Sequence, residues 1–112
     1  MQRLRHLRAE PKFHSDMPTL YPGALNEETR ARCEHQLNGL IDRLTGGLPA
    51  RATKQYVLEE FRTTLAAFQS EDSEERDRLL HYMEQIMDIT GIVSSDGLLN
   101  EWRYGFDPTN AP

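Results

Sequence analysis

The segment from Met83 to Phe106 constrains the fold more than any other part of the chain. A helical pattern of apolar residues runs into Gly91, residues 94–97 read Ser-Ser-Asp-Gly, and a short apolar segment then carries three of the nine aromatic residues. Glycine is the usual residue in the left-handed conformation that ends a helix, and Ser, Asp and Gly favour turns. This order of elements predicts a compact helical fold, and the segment contains no recognisable catalytic motif.

Three longer helices are predicted from apolar residues that recur three and four positions apart, because this spacing places them on one helix face. The first begins at Asn26, a strong N-cap residue, and ends at the glycine pair 46–47. The second begins near Thr53, and the third runs from Asp72, which opens a capping-box-like pattern, to Gly91. The predicted buried residues are Cys33, Leu37, Leu40, Ile41 and Leu44 in the first helix, Val57, Leu58, Phe61, Leu65 and Phe68 in the second, and Leu79, Met83 and Ile86 in the third.

A fourth, short helix of two turns is predicted around Leu98, Leu99 and Trp102. Because each longer helix has only one apolar face to bury, the three must pack against one another, and the short helix then covers an open end. We therefore predict an all-α fold with a three-helix core bundle and a short fourth C-terminal helix. Trp102 is expected to provide the largest single burial at that end.

The helical domain is predicted to span residues 25–106, between an extended N-terminal arm at residues 1–24 and a polar tail at residues 107–112. Three prolines interrupt any long helix in the arm, so it is expected to be irregular. A loosely ordered tail is one interpretation of the arm. The alternative is that its apolar residues pack back onto the helices, and these residues are Phe13, Leu20 and Tyr21.

The net charge of −5 is unevenly distributed along the chain. Residues 1–24 contain four basic and two acidic residues, a charge of +2, whereas the rest contain nine basic and sixteen acidic residues, a charge of −7. An acidic surface repels phosphate backbones and attracts basic proteins. The charge distribution therefore predicts a basic partner protein and argues against nucleic acid as a ligand.

Cysteine content and hydropathy favour a cytoplasmic protein. The chain has one cysteine and cannot form an internal disulfide, which is typical of a reducing compartment. Its basic start is not followed by the apolar stretch of a secretory signal. No run approaches the roughly 18 apolar residues of a membrane span, so we expect no membrane association.

An acidic stripe is predicted along the third helix. Its members share one face, opposite the buried residues, and they are Asp77, His81, Glu84 and Asp88. A solvated face is the simplest interpretation, and a docking surface for a basic partner is the functional one. A histidine among carboxylates also suits a transition-metal ion, but the other helices offer no matching ligands, so no metal site is predicted. The docking surface would extend over Glu71, Asp72, Glu74 and Glu75.

Other groups with chemical potential are assigned structural roles. Cys33 lies on the predicted apolar face and His35 projects in another direction, so nucleophilic catalysis is not expected. The Ser-Ser-Asp segment at 94–96 lacks the surroundings of a hydrolase nucleophile and is typical of a turn or a helix cap. The C-terminal aromatic cluster is interpreted as core or, alternatively, as a patch for a partner or for self-association. It comprises Trp102, Tyr104 and Phe106, with Arg103 among them.

The run from Glu84 to Phe106 resembles a family of small helical bacterial proteins without an assigned activity. In these proteins a helix with an Ile-Met-Asp-Ile-like run, here at residues 86–89, meets a Ser-Ser-Asp-Gly turn and closes on Trp-x-Tyr-Gly-Phe, here at residues 102–106. The resemblance covers Leu25 to Phe106 and implies no catalytic residue and no cofactor. By class, small acidic helical proteins are similar to the immunity proteins of bacterial toxin systems.

These observations favour a non-enzymatic protein-binding module. The leading hypothesis is an immunity-type inhibitor that neutralises a basic toxin through its acidic surface and is itself a monomer or weak homodimer. The alternative is a self-associating structural or regulatory domain, and a small hydrolase or metal enzyme is a third class that no residue spacing requires. The predicted partner-binding residues are Glu74, Asp77, His81, Glu84, Asp88, Trp102 and Tyr104.

Overall fold

The computed structural model describes residues 2–104, and of Tyr104 it describes only the backbone. Five α-helices follow one another along the chain, and a short 3₁₀ turn spans Met17–Thr19. No extended strand occurs in the described range, so the predicted all-α fold is confirmed. The helices are α1 (Gln2–Ala9), α2 (Glu27–Gly47), α3 (Lys54–Ala67), α4 (Ser73–Thr90) and α5 (Leu98–Tyr104).

The helix ends follow the capping residues read from the sequence. The side chain of Asn26 accepts a 2.8 Å hydrogen bond from the Thr29 amide, and Thr53 accepts one of 3.1 Å from the Tyr56 amide. Gly91 adopts a left-handed conformation (φ 78°) after the last turn of α4. Asp72 is the N-cap of α4, but its side chain makes no capping hydrogen bond, so that part of the prediction is wrong.

The core consists of the three apolar faces that were predicted. Every predicted core residue of α2 and α4 is buried, as are those of α3 together with Phe68 just beyond its end. Helices α2 and α3 pack against each other, and α4 contributes Leu79, Met83 and Ile86 to the same core with no exposed surface. Burial of apolar side chains of this size is the main source of stability in a small domain.

Helix α5 packs on α4 less deeply than expected. Leu99 is buried, whereas Trp102 is only half-buried and packs at the margin of the core. The guanidinium carbon of Arg76 lies 5.6 Å from the centre of the Trp102 ring, close enough for a cation–π contact. The short helix therefore covers one side of α4 and leaves part of the indole in contact with water.

The N-terminal arm differs from the irregular segment that was expected. Residues 2–9 form α1, which packs against both α2 and α4 and buries Leu4 and Leu7. The first proline of the arm is Pro11, so no proline lies within this helix. Leu4 and Leu7 are three residues apart, so they lie on the same side of α1 and form a narrow apolar face. This face packs against α2 and α4.

The rest of the arm agrees with the alternative interpretation, except for one residue. Phe13 and Tyr21 belong to the core, whereas Leu20 is 83% exposed. Lys12 is 1% exposed, and its ammonium donates hydrogen bonds of 2.9 and 2.5 Å to the backbone carbonyls of Arg8 and Glu10. The buried lysine thereby caps the C-terminal carbonyls of α1, and burial lowers its pKa.

Within residues 2–104 no helix combines the length and the apolar character that crossing a membrane requires. The predicted polar tail at residues 107–112 lies outside the described residues, as does Phe106 of the aromatic cluster.

Candidate functional site

The outer face of α4 carries most of the predicted partner-binding residues. Glu74, Asp77, Glu84 and Asp88 are exposed there, and His81 is half-buried among them. On the opposite side of the same helix, Leu79, Met83 and Ile86 have no exposed surface. The helical spacing thus brings the stripe together on one face, because residues three and four apart are neighbours on a helix surface.

The carboxylates of the stripe differ in their partners. Asp77 accepts a 3.0 Å hydrogen bond from Nε of Arg103 on α5. Glu74, Glu84 and Asp88 form no ion pair with any described residue. Glu84 and Asp88 therefore retain their charge for interactions outside the molecule, whereas Asp77 is partly neutralised.

Two residues of the predicted extension do not contribute to a free acidic surface. Glu71 is bound by Arg32 through two hydrogen bonds of 2.8 and 2.9 Å, and the guanidinium lowers the pKa of that carboxyl. Glu75 is 3% exposed and faces the interior near Tyr21 and Cys33, where burial raises its pKa. Of this extension, only Asp72 and Glu74 are exposed.

The C-terminal half of the stripe borders the basic arm. Arg3 and His6 of α1 line a shallow depression of about 300 Å³ together with Gln85 and Asp88 of α4. The positive arm and the negative domain are therefore adjacent in space. Neither Arg3 nor His6 forms an ion pair with Asp88 among the described residues.

His81 is the one member of the acidic stripe that is not a carboxylate. Burial is the main reason that its pKa is lowered, and the neighbouring guanidinium of Arg78 acts in the same direction. Its ring contacts the Tyr82 ring edge-on, with centroids 5.8 Å apart. The imidazole is therefore neutral at pH 7 and does not offset the charge of Glu84. In the described part of the chain, no three His, Cys, Asp or Glu side chains are grouped to hold a metal ion.

The candidate nucleophiles occupy structural positions. Cys33 is fully buried, and burial raises its pKa to about 12, so the thiol stays protonated at neutral pH. A buried thiol without a depressed pKa is a poor nucleophile. The hydroxyl of Ser95 accepts a 3.3 Å hydrogen bond from the amide of Leu99, and that of Ser94 accepts one of 3.1 Å from the amide of Asp96. Both serines thus shape the turn that starts α5.

A hydrogen-bonded turn at residues 16–21 lies beside the stripe, and the sequence pattern did not reveal it. The Arg78 guanidinium lies between the rings of Tyr21 and Tyr82, 4.8 and 5.1 Å from their centroids. It donates hydrogen bonds of 3.0 Å to the Asp16 carboxylate and 2.9 Å to the Thr19 hydroxyl. Pro18 signals a turn here, but no local pattern links this turn to an arginine 59 residues away.

The turn exposes two large apolar side chains, Met17 at 70% and Leu20 at 83%. Leu20 adopts a positive φ of 60°, a conformation that costs a non-glycine residue about 1 kcal/mol or more. Its side chain recovers none of this cost by burial. Leu20 borders the same surface as Glu74 and Asp77, because it lines a depression with these two carboxylates.

An apolar groove lies near the other end of α4. It has a volume of about 280 Å³ and opens between α1, α3 and the end of α4. Its apolar lining comes mainly from Leu4, Leu48, Val57, Ile89 and Ile92. Lys54 also lines it and pairs with Asp96 at 2.7 Å.

The aromatic members of the predicted site are separate from the free carboxylates. Trp102 is half-buried beneath Arg76, so only part of its ring is accessible to a partner. The side chain of Tyr104 lies outside the described residues. The ion pair between Asp77 and Arg103 links α5 to the stripe. The partly exposed indole of Trp102 therefore lies beside the N-terminal half of the stripe.

Comparison with known proteins identifies a family but gives no activity. No curated protein and no solved structure matches the chain. A family model matches residues 1–107, a longer stretch than the resemblance over residues 25–106, and it includes the N-terminal arm. This extent agrees with the packing of α1 against the core. The chain belongs to the family described as a domain of unknown function, DUF4844.

Proposed function

We propose that this domain is a non-enzymatic protein-binding module, most specifically an immunity-type inhibitor that occludes a basic toxin domain. The observation that carries the proposal is the pair Glu84 and Asp88, exposed on α4 and free of ion pairs within residues 2–104. Nine other described carboxylates, in contrast, have an arginine or lysine partner. Charges of this kind contribute little to folding and are available to a second molecule.

Electrostatic steering is the physical basis of the proposed interaction. Exposed carboxylates on one helix face attract a basic protein over a distance comparable with the Debye length, about 8 Å at physiological salt. Complementary fields raise the association rate more than they slow dissociation. An inhibitor must bind its toxin before the toxin acts, so a fast association rate is the useful property. Half-buried Trp102, near the start of the stripe, supplies an aromatic contact of the type that dominates binding energies.

The structural roles of the candidate nucleophiles support the non-enzymatic part of the proposal. Cys33 is enclosed in the core, and the hydroxyls of Ser94 and Ser95 accept hydrogen bonds from backbone amides. Each of these groups is accounted for by folding. The unpaired carboxylates Glu84 and Asp88 lie on the outer, convex face of a helix, which suits docking better than it suits enclosure of a substrate.

The test compares two variants with the same net charge. Glu84→Lys with Asp88→Lys reverses the proposed contact, and Glu28→Lys with Glu59→Lys makes the same charge change at exposed positions on α2 and α3. Surface plasmon resonance against a toxin domain encoded beside the gene should show an association rate at least tenfold lower for the first variant only. The salt dependence of that rate should also become flatter.

Equal association rates for the two variants would contradict the assignment of this face. Circular dichroism and thermal melting of both variants serve as the folding control. Because all four residues are exposed, we expect melting temperatures close to that of the wild type.

A further inference from the structure

His81 lies in the middle of the acidic stripe on α4. Asp77 precedes it by four residues and Glu84 follows it by three, so both carboxylates are its neighbours on the helix surface. The imidazole is half-buried and lines the depression that also contains Glu74 and Asp77. Histidine is the side chain whose ordinary pKa places its change of charge between pH 5 and 8. The stripe therefore contains a group that gains a proton in a pH range in which exposed carboxylates stay ionised.

The charges around the imidazole are not equally available to it. Four charged groups face it, three from α4 and one from the turn at residues 16–21, and they are Asp77, Arg78, Glu84 and Asp16. Arg78 and Asp16 are hydrogen-bonded to each other at 3.0 Å, and Asp77 is bound to Arg103. Glu84 has no ion pair with a described residue. A proton on His81 would therefore act most directly on the charge of Glu84.

The surroundings of the imidazole keep it neutral at pH 7. Burial is the main cause of its lowered pKa, and Arg78 acts in the same direction, whereas Glu84 and Asp16 oppose the shift. The folded protein therefore takes up this proton below the ordinary histidine pKa of about 6.5. Exposed Asp and Glu side chains have ordinary pKa values of about 4. Between these limits the stripe gains one positive charge while its carboxylates remain negative.

A single proton is a large change for this surface. Glu84 and Asp88 are the two carboxylates of the stripe without an ion pair among the described residues. An imidazolium on the same helix face offsets one of these two negative charges and repels the cations of a basic partner. Because linkage is reciprocal, proton uptake weakens the binding of a basic partner by the same factor by which the partner weakens proton uptake.

We propose that His81 is a proton switch within the docking surface of α4. A basic partner binds while the imidazole is neutral, and it is released when the imidazole takes up a proton. This inference rests on the proposed function, because the switch acts on binding through Glu84 and Asp88. It adds a direction of control, since the affinity is insensitive to pH around neutrality and falls in acid.

Surface plasmon resonance of the full chain on an immobilised oligo-arginine peptide tests the switch. Arginine stays charged throughout the measured range, so the charge of the probe is constant. Between pH 7.5 and pH 5.0 the affinity of the wild type should fall about threefold, with a midpoint below pH 6.5. His81→Gln keeps a polar side chain that cannot take up a proton, so it should retain most of its affinity at pH 5.0. The matched control is His35→Gln, at an exposed histidine on α2, which should lose affinity as the wild type does.

A permanently charged variant provides a second measurement. His81→Lys should bind the peptide as weakly at pH 7.5 as the wild type does at pH 5.0, and thermal melts of all variants at both pH values check that they are folded. Equal losses of affinity for the wild type and His81→Gln would overturn the switch. So would a wild-type affinity that does not change with pH, or tight binding by His81→Lys at pH 7.5.

Failure of the proposed function itself would give a different result. In that case the variant with Glu84→Lys and Asp88→Lys would bind the peptide as tightly at pH 7.5 as the wild type does. That outcome would overturn the switch together with the docking surface on which it rests. A clear loss of binding by this double variant, combined with equal pH dependence of the wild type and His81→Gln, would overturn the switch alone.

Discussion

The backbone N–H of Phe13 donates a 3.0 Å hydrogen bond to the hydroxyl oxygen of Tyr82, and both groups are buried. This contact joins the N-terminal arm to α4 across 69 residues of sequence. The two rings also meet edge-on, with centroids 5.2 Å apart. The arm is therefore part of the folded unit, and the surface beside the acidic stripe depends on it.

Removal of the Tyr82 hydroxyl should destabilise the fold. Tyr82→Phe keeps the ring but leaves the buried amide of Phe13 without an acceptor, which we expect to cost about 1–3 kcal/mol in the free energy of unfolding. Tyr21→Phe is the matched control, because the Tyr21 hydroxyl is buried without a hydrogen-bond partner in the described structure. That change should be neutral or stabilising. Urea denaturation of both variants measures the difference, and equal stabilities would contradict the role of the Phe13–Tyr82 bond.

Truncation of α1 residues tests whether arm and bundle unfold together. Leu4→Ala should cost about 2–5 kcal/mol, since Leu4 is 1% exposed and its loss leaves a cavity. Leu25→Ala, at an exposed position, should change stability by less than about 0.5 kcal/mol. Guanidinium denaturation followed by circular dichroism should give a single transition for both variants. A wild-type-like midpoint for Leu4→Ala would mean that the arm is not part of the cooperative unit.

The buried carboxyl of Glu75 should make stability depend on pH. Burial raises its folded-state pKa, so the folded protein binds this proton more tightly than the unfolded chain does. The resulting stabilisation is present below the unfolded pKa of about 4.3 and is lost as pH rises through the folded pKa. Glu75→Gln should therefore be more stable than the wild type at neutral pH, and the difference should shrink toward pH 4.

The control for this effect is Glu74→Gln, because Glu74 is the exposed neighbour of Glu75 on α4. Because Glu74 is exposed, its replacement should change the melting temperature little at pH 4 and at pH 7, the two values at which we propose to record thermal melts. A Glu75→Gln variant that is less stable than the wild type at pH 7 would show that the charged carboxylate contributes to the fold.

The partial burial of Trp102 sets the expected cost of its removal. Truncation of a fully buried tryptophan to alanine lowers the free energy of unfolding by about 3–5 kcal/mol. For the half-buried Trp102 we expect Trp102→Ala to lower it by about 1–3 kcal/mol. Trp102 is also the one tryptophan of the chain, so its fluorescence reports directly on the docking of α5. A fluorescence transition at lower denaturant concentration than the circular dichroism transition would show that α5 detaches before the bundle unfolds.

Local patterns in the sequence were sufficient for the helices of the core. Asn26, Thr53 and Gly91 act on backbone groups within a few residues, so their roles as caps follow from sequence neighbours alone. The apolar spacing in α2, α3 and α4 likewise identified the buried faces. The exposed acidic residues of α4 followed from the same spacing, since the face opposite a buried stripe meets water.

Long-range contacts explain what the sequence did not reveal. Glu75 was expected to extend the exposed docking surface, but it is buried and lies near Tyr21 of the arm. Arg78 is fixed by residues from the 16–21 turn. Each of these side chains is placed by a segment far away in the sequence, and no periodicity encodes such an encounter.

The most direct test of the proposed function is a growth assay of toxin neutralisation. Each reading frame that neighbours the gene would be expressed alone and then together with the wild type, with Glu84→Lys/Asp88→Lys or with the control Glu28→Lys/Glu59→Lys. We expect one neighbouring product to arrest growth, and we expect the wild type and the control to restore growth while the α4 variant does not. Full rescue by the α4 variant, or no toxic neighbour at all, would contradict an immunity function exerted through Glu84 and Asp88.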